Sequence, residues 1–153
     1  MAEDVSIRLA RREDYDQWLA LFDGYNAFYG RSGATALSPD ITAMTWARFF
    51  DAYEPVHALV AESGAGLIGL AHYLFHRSTT AIEPTCYMQD LFTSEAARGK
   101  GVGRALMDDL VSLSMRNGWS RLYWHTSEEN RTARALYDKV AERSGFLVYR
   151  KLF

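Results

Sequence analysis

The sequence predicts an α/β (α+β) chain in which a mixed, mostly antiparallel sheet carries helices on both faces. Three observations predict it. Segments alternating at period two and segments striped at three and four residues follow one another as β-α-α-β-β-β-α-β-α-β. Of the 153 residues 48% are hydrophobic and 14% aromatic, enough apolar side chain for a real core. No linker, repeat or low-complexity tract interrupts the chain, so residues 1–153 are expected to form a single domain.

Val5, Ile7 and Leu9 alternate with Ser6 and Arg8, giving a short strand with one buried face. Tyr15, Trp18, Leu21, Phe22 and Tyr25 then mark a helix, with Glu13 and Asp14 in the first turn, where the dipole favours acids. Gly30, Ser32 and Gly33 end it. Ser38-Pro39 opens a second helix, with serine as cap and proline at the first helical position. Ile41, Met44 and Phe49 or Phe50 form its apolar side, and Pro55 stops it. Residues 56–62 and 67–75 read as strands joined by the turn Ser63-Gly64-Ala65-Gly66. After a loop at 76–84 comes a strand at 85–93. Residues 101–117 are helical, with Val102, Ala105, Leu106, Leu110 and Leu113 on one face and Gly118 as the closing glycine. A strand at 121–126, a helix from Asn130 to residue 143 and a last strand at 146–153 complete the pattern.

Net charge of −2 argues against bulk attraction to nucleic acid or to an acidic membrane. No run reaches the roughly 18 apolar residues of a membrane span. The single cysteine, Cys86, allows no intrachain disulfide and fits a reducing compartment. The start Met1-Ala2-Glu3-Asp4 is acidic and lacks an apolar run, so a cytoplasmic location is expected. His72 and His76 share a strand face but stand roughly 13 Å apart, too far to hold one metal. No other His or Cys spacing suggests a metal, so none is expected. Ser38, Ser78, Ser127 and Cys86 lack a nucleophile-elbow context, which disfavours covalent catalysis.

The informative stretch is Gln89-Asp90-Leu91-Phe92-Thr93-Ser94-Glu95-Ala96-Ala97-Arg98-Gly99-Lys100-Gly101-Val102-Gly103-Arg104: a strand, a glycine-rich turn and a helix start. Amides at a helix start have no partner within the helix, and the dipole adds positive charge, so this is an anion site. Glycine lets a ligand approach the backbone, and Arg98, Lys100 and Arg104 add charge. The expected ligand is a phosphate or pyrophosphate. A Walker A loop is excluded because Arg104-Ala105, not Lys-Ser/Thr, follows Gly103. A dinucleotide fingerprint would require glycine at position 104, and the turn lies far from the first strand.

The pattern Arg98-x-x-Gly101-x-Gly103 resembles the acetyl-CoA pyrophosphate loop of the GNAT superfamily. After an intervening helix and strand, Asn130-x-x-Ala133-x-x-x-Tyr137 resembles that superfamily's second conserved segment. Tyr87-Met88-Gln89-Asp90-Leu91-Phe92, and the long ending from Tyr137 to Gly145-Phe146, look most like the histone-and-polyamine acetyltransferase branch. The resemblance implies a GNAT-like sheet of about seven strands and an acetyl-CoA-dependent N-acetyltransferase acting by direct transfer in a ternary complex. It implies that the backbone of Leu91, Phe92 and Thr93 meets the pantetheine arm. Arg98, Gly99, Lys100, Gly101, Val102, Gly103 and Arg104 would hold the pyrophosphate. Asn130, with Ala133 in the same motif, would bond a pantetheine amide, and Tyr137 would protonate the departing thiolate. An unperturbed phenol pKa of ~10 suits that role.

The acceptor is less defined. Diamine acetyltransferases carry a glutamate where this chain has Gln89, which cannot act as a base. Alternation aims the adjacent Asp90 at the other sheet face. His125, on the strand that parts from the Gln89 strand, is a candidate base; a water chain to solvent is the alternative. Tyr25 and Asn26 correspond to acceptor contacts in related enzymes, beside Phe28 and Tyr29. The expected partner is a small-molecule primary amine such as an amino acid or polyamine, with neither nucleic acid nor membrane, and a homodimer through sheet edges stays open. A protein lysine or N-terminal acetyltransferase, or a silent acetyl-CoA-binding regulatory module, are the alternatives.

Overall fold

Five strands form one sheet in chain order. The computed structural model describes residues 4–153; the acidic start at residues 1–3 lies outside them. The strands are β1 (Ser6–Leu9), β2 (Val56–Ser63), β3 (Gly66–His76), β4 (Thr85–Thr93) and β5 (Arg121–Trp124). The helices are α1 (Tyr15–Phe28), α2 (Pro39–Arg48), α3 (Val102–Arg116) and α4 (Arg131–Val140). β1 to β4 are antiparallel neighbours, and β5 runs parallel to β4. A parallel pair needs a crossover, which α3 supplies.

The two sheet faces bury different side chains. On one, Trp18, Leu21 and Phe22 of α1 meet Leu70 of β3, with Trp46 of α2 and Phe49 packed against them. On the other, Ala71, Tyr73, Cys86 and Met88 meet Val102, Leu106, Met107 and Leu110 of α3. A Cβ on Gly69 would lie 3.0 Å from Val102 Cγ1, so this glycine lets the start of α3 sit close on the sheet. Arg8 ties β1 to the entry of α1 and to β2. It donates two bonds to Asp14, at 2.7 and 3.0 Å, and one to Glu62 at 2.9 Å. The two bonds to Asp14 hold its buried carboxyl below the usual carboxylate range.

Two sequence expectations need correction. The sheet has five strands, not seven. The expected last strand at 146–153 has no backbone partner, and Phe146, Tyr149 and Phe153 stand in solvent. A strand-like pattern shows what a segment would bury; pairing also needs an edge within reach. α4 stops at Val140, short of residue 143, because Ala141 turns extended. β5 likewise ends at Trp124 rather than at residue 126. Among the described residues no helix is long and apolar enough to cross a membrane.

One irregularity shapes everything near the site. In the β3–β4 ladder His72 opposes Asp90 while Tyr73 opposes Met88, so Gln89 is an extra, unpaired residue. Such a bulge reverses which face the following residues present.

Candidate active site

β4 and β5 pair from Thr85↔Arg121 to Met88↔Trp124 and then part. β4 continues to Thr93, so its edge beyond the bulge is open on that side. A cavity of about 280 Å³ runs through the opening. Tyr25, Tyr29, Arg31 and Tyr87 line its α1 side; Leu91, Trp124 and Tyr137 line the α3–α4 side; Gln89 and His125 stand at the mouth.

Tyr137 projects from α4 and sets its ring edge-on against Trp124, 5.3 Å between centroids. Burial, and secondarily the nearby Tyr29, push its phenol up to about 12, so it carries its proton at neutral pH. On the other face His125 Nδ1 lies 3.2 Å from the Tyr87 hydroxyl. Burial pushes the Tyr87 phenol up as well.

Behind Tyr25 lies a buried polar chain. Trp18 Nε1 donates to His72 Nε2 at 2.9 Å. An indole can only donate, so Nδ1 carries the imidazole hydrogen and donates to Asp90 Oδ2 at 2.8 Å. Strict alternation aims Asp90 away from the acceptor side. The bulge at Gln89 reverses this and puts Asp90 on the α1 face. Burial, with the Asp90 carboxylate beside it, holds the Tyr25 phenol well above its ordinary range.

Asn26 does not line the cavity. It is buried, its amide nitrogen donates to Phe22 O at 3.0 Å, and its oxygen accepts from Arg31 Nε at 2.8 Å. Its connection to the cavity runs through Arg31, whose guanidinium also lies 5.7 and 5.6 Å from the rings of Tyr25 and Tyr29. Among the described residues Arg31 has no carboxylate in ion-pair contact. The sequence reading missed Arg31, although a lone cation just past an aromatic helix end was a visible signal. It also missed the pairing of His72 with Asp90, which no local pattern announces.

The glycine turn has the geometry of an anion cradle. Gly99 and Gly101 take φ of 75° and 82°, which other residues rarely adopt. Gly101 precedes α3, and the first intrahelical bond back to it comes from Ala105 N. The amides of Val102, Gly103 and Arg104 therefore have no partner within the helix. A Cβ on Gly103 would point at Thr93 Oγ1 and Leu91 Cδ2, 3.8 and 3.9 Å away, so the turn lies against the open β4 edge. Arg98 faces the other way. Its Nε donates to Thr93 O at 3.1 Å and its guanidinium covers Phe92 and Phe28. Phe92 packs on the α1 face, so only its backbone is available to the gap. Unpartnered amides, bare glycines and the charges of Lys100 and Arg104 fit a diphosphate-bearing cosubstrate. Asn130 caps α4 by accepting from Ala133 N at 3.3 Å, which leaves its amide nitrogen to donate.

The sequence profile of the Acetyltransferase (GNAT) family matches residues 18–141. The chain belongs to the GNAT family. Over 150 residues it is 33% identical to the D-amino-acid N-acetyltransferase of Saccharomyces cerevisiae, covering 96% of this chain and 90% of that one. The thialysine N-epsilon-acetyltransferase of Caenorhabditis elegans is 31% identical over 85 residues, 56% of this chain and 52% of its own. Among solved structures, AAC(6')-Iy in complex with a CoA-containing bisubstrate analogue superposes with a TM-score of 0.81 at 14% identity, covering 98% and 99% of the two chains. The ribosomal-protein-alanine N-acetyltransferase of Brucella melitensis gives 0.78 at 21% identity, covering 98% and 100%. Both show the shared fold. This GNAT chain is an acetyl-CoA-dependent N-acetyltransferase that moves acetyl groups to amines. Among the described residues no cluster of three or more His, Cys, Asp or Glu could hold a metal ion.

Proposed function

We propose that this enzyme acetylates the primary amine of small molecules that also carry a carboxylate, amino acids foremost. One observation carries the reading. Arg31 puts an oriented guanidinium, without an acidic partner of its own, on the acceptor side of the cavity. A guanidinium fixed by Asn26 and two phenol rings is suited to a planar carboxylate. The name of the yeast relative, an amino-acid acetyltransferase, supports the same class.

Bound acetyl-CoA supplies the activated thioester. The amides of residues 99–104, with Lys100 and Arg104, hold the diphosphate, and Asn130 donates to the pantetheine arm. The open β4 edge at Leu91–Thr93 orients the arm, and the Leu91 N–H polarises the thioester carbonyl. Arg31 fixes the acceptor so that its amine enters the gap from the α1 side, which makes the attack effectively intramolecular. His125, coupled to the Tyr87 hydroxyl, takes the ammonium proton at the solvent mouth. Tyr137, protonated on the opposite wall, gives its proton to the thiolate.

The test is CoA release with amino acids of both configurations, their carboxamides, the matching carboxyl-free amines, and peptides. Amino acids should lead. Arg31→Gln should lower kcat/KM for amino acids by about 10- to 100-fold, one charge-assisted hydrogen bond, and leave the amides nearly unchanged. Preferred turnover of peptides or polyamines, or an equal loss on both substrate sets, would reject the carboxylate reading.

A further inference from the structure

We propose that an uncovered row of aromatic side chains beside the gap is the subsite for the acceptor's side chain, and that it selects amines bearing an aromatic ring. The inference rests on the reading of the gap as the site of a small amine acceptor and adds the class of side chain to it.

Strand register sets the row. Leu74 of β3 opposes Tyr87 of β4, which opposes Tyr123 of β5. Residues directly across a ladder share a face. Here it is the α1 face, because Cys86 and Met88, on either side of Tyr87, pack toward α3. Among the described residues, neither Tyr87 nor Tyr123 joins the core under α1 and α2 or the core under α3. The helices leave this end of the sheet bare, and both rings are half-buried. Tyr87 also lines the cavity, so floor and cavity are continuous. The last rung of the ladder, Met88↔Trp124, is one register step away, and the gap opens there.

The rings form one surface. Tyr87 and Tyr123 stand 4.8 Å apart between centroids, and His125 lies 5.2 Å from the first and 6.0 Å from the second. Both phenols are pinned. His76 Nδ1 lies 2.9 Å from Arg77 O, and a carbonyl only accepts, so Nδ1 carries the imidazole hydrogen. Its Nε2 therefore accepts from the Tyr123 hydroxyl at 2.9 Å. The Tyr87 hydroxyl is held by His125 Nδ1 at 3.2 Å. Rings fixed before binding lose little freedom when a ligand arrives.

Charge selects among side chains. The Arg121 guanidinium lies over Tyr123, 5.2 Å from its centroid, and already takes the place a cation would seek. Arg31 lines the same cavity, so a cationic side chain meets like charge. The negative faces of the phenol rings disfavour an anionic one. A flat apolar ring can lie offset or edge-on against both tyrosines. With the amine in the gap and the carboxylate at Arg31, the side chain is the part left to lie on this floor.

CoA release tests the subsite in two series. One compares phenylalanine with leucine, glutamate and arginine, each in both configurations. The other compares phenethylamine with 3-methylbutylamine, which lack the carboxylate. In each series the aromatic member should lead its aliphatic counterpart in kcat/KM by about 3- to 10-fold, the worth of one aromatic pair. Tyr123→Ser should bring both ratios near one. Its turnover of alanine, too short to reach the floor, should persist and so certify the fold. Tyr123→Phe keeps the ring and should keep the preference. A lead for leucine, glutamate or arginine, a ratio that survives Tyr123→Ser, or a ratio lost equally in Tyr123→Phe would each overturn the subsite. An aromatic lead in both series without any preference for the carboxylate would count against Arg31 alone and leave the floor standing.

Discussion

Gly101 and Gly103 stand two residues apart in the turn, and the structure assigns them opposite sensitivities. Gly101 has φ of 82°, in the left-handed region. Alanine there costs about 1 kcal/mol, worth about 2–4 °C of Tm in a chain of this size. The strain is relieved by rotating the turn, which tilts the amides of Val102 and Gly103 away from a bound diphosphate. One charge-assisted bond lost is about 1.5–3 kcal/mol, so the Kd for CoA should rise by about 10- to 100-fold. Gly103 lies within α3, and its Cβ would meet Thr93 Oγ1 and Leu91 Cδ2 at 3.8 and 3.9 Å, toward the sheet and in ordinary contact. Gly103→Ala should therefore gain a few tenths of a kcal/mol, roughly half the mid-helix value in a first turn, and keep CoA affinity. Gly101→Glu adds a negative charge to the strain and should abolish binding. Calorimetric melts and CoA titrations of the three variants read both quantities. If Gly101→Ala binds CoA as tightly as Gly103→Ala, the cradle does not depend on the left-handed turn and the assignment of the diphosphate to it fails.

Three further outcomes follow from single contacts. Tyr137→Phe should lower kcat by about 10²-fold, the low end for a general acid, with CoA affinity unchanged; with the phenol at about 12, the wild type should show no loss of this acid below about pH 11, and stopped-flow turnover checks both. Gly69→Ala forces a Cβ to 3.0 Å from Val102 Cγ1 and 3.1 Å from Phe92 O, so overpacking should cost about 1–3 kcal/mol in urea unfolding; a neutral result would show that α3 is free to shift. The carboxyl of Asp14 is held below its unfolded value of ~3.9 by Arg8. Its contribution is therefore full above about pH 5 and is lost as pH falls through the folded value, so Asp14→Asn should flatten stability against pH below about 5, and an unchanged slope would assign the acid sensitivity elsewhere.

The parts of the fold that were legible in the sequence are those that local chemistry dictates. The Ser38-Pro39 cap, the Gly118 stop and the stripe of α3 each fix their element without help from distant residues. The glycine turn was legible for the same reason: its backbone geometry is demanded by its own glycines. Long-range chemistry was hidden. Nothing near Asp90 announces a bulge at Gln89, and without the bulge strict parity sends its carboxylate to the wrong face. Asn26 looked like an acceptor contact, but its side chain is spent on Phe22 and Arg31. The segment at 146–153 is rich enough in apolar residues to suggest a last strand, yet a strand also needs a neighbour to pair with, and none lies beside these residues.

In the proposed reaction the bulge would let two reactants meet from opposite faces of one sheet. Had β4 stayed regular through Gln89, Asp90 would point toward α3 and have no place beside Tyr25 and His72. The extra residue falls where the β4–β5 ladder ends, after Met88↔Trp124. One local irregularity thus coincides with the opening of the gap and with the placement of the Trp18–His72–Asp90 chain behind the α1-side wall. Arg31 and Tyr25 stand on that wall, while Tyr137 and Trp124 stand on the other. A carboxylate-bearing amine anchored at Arg31 and a thioester threaded from the glycine turn would then approach through a single opening, with a proton donor already on the thioester side. Deleting Gln89 would keep Asp90 opposite His72 but remove the irregularity at the mouth of the gap, and should cost activity on every amine alike. Arg31→Gln, in contrast, should cost it only where the amine carries a carboxylate.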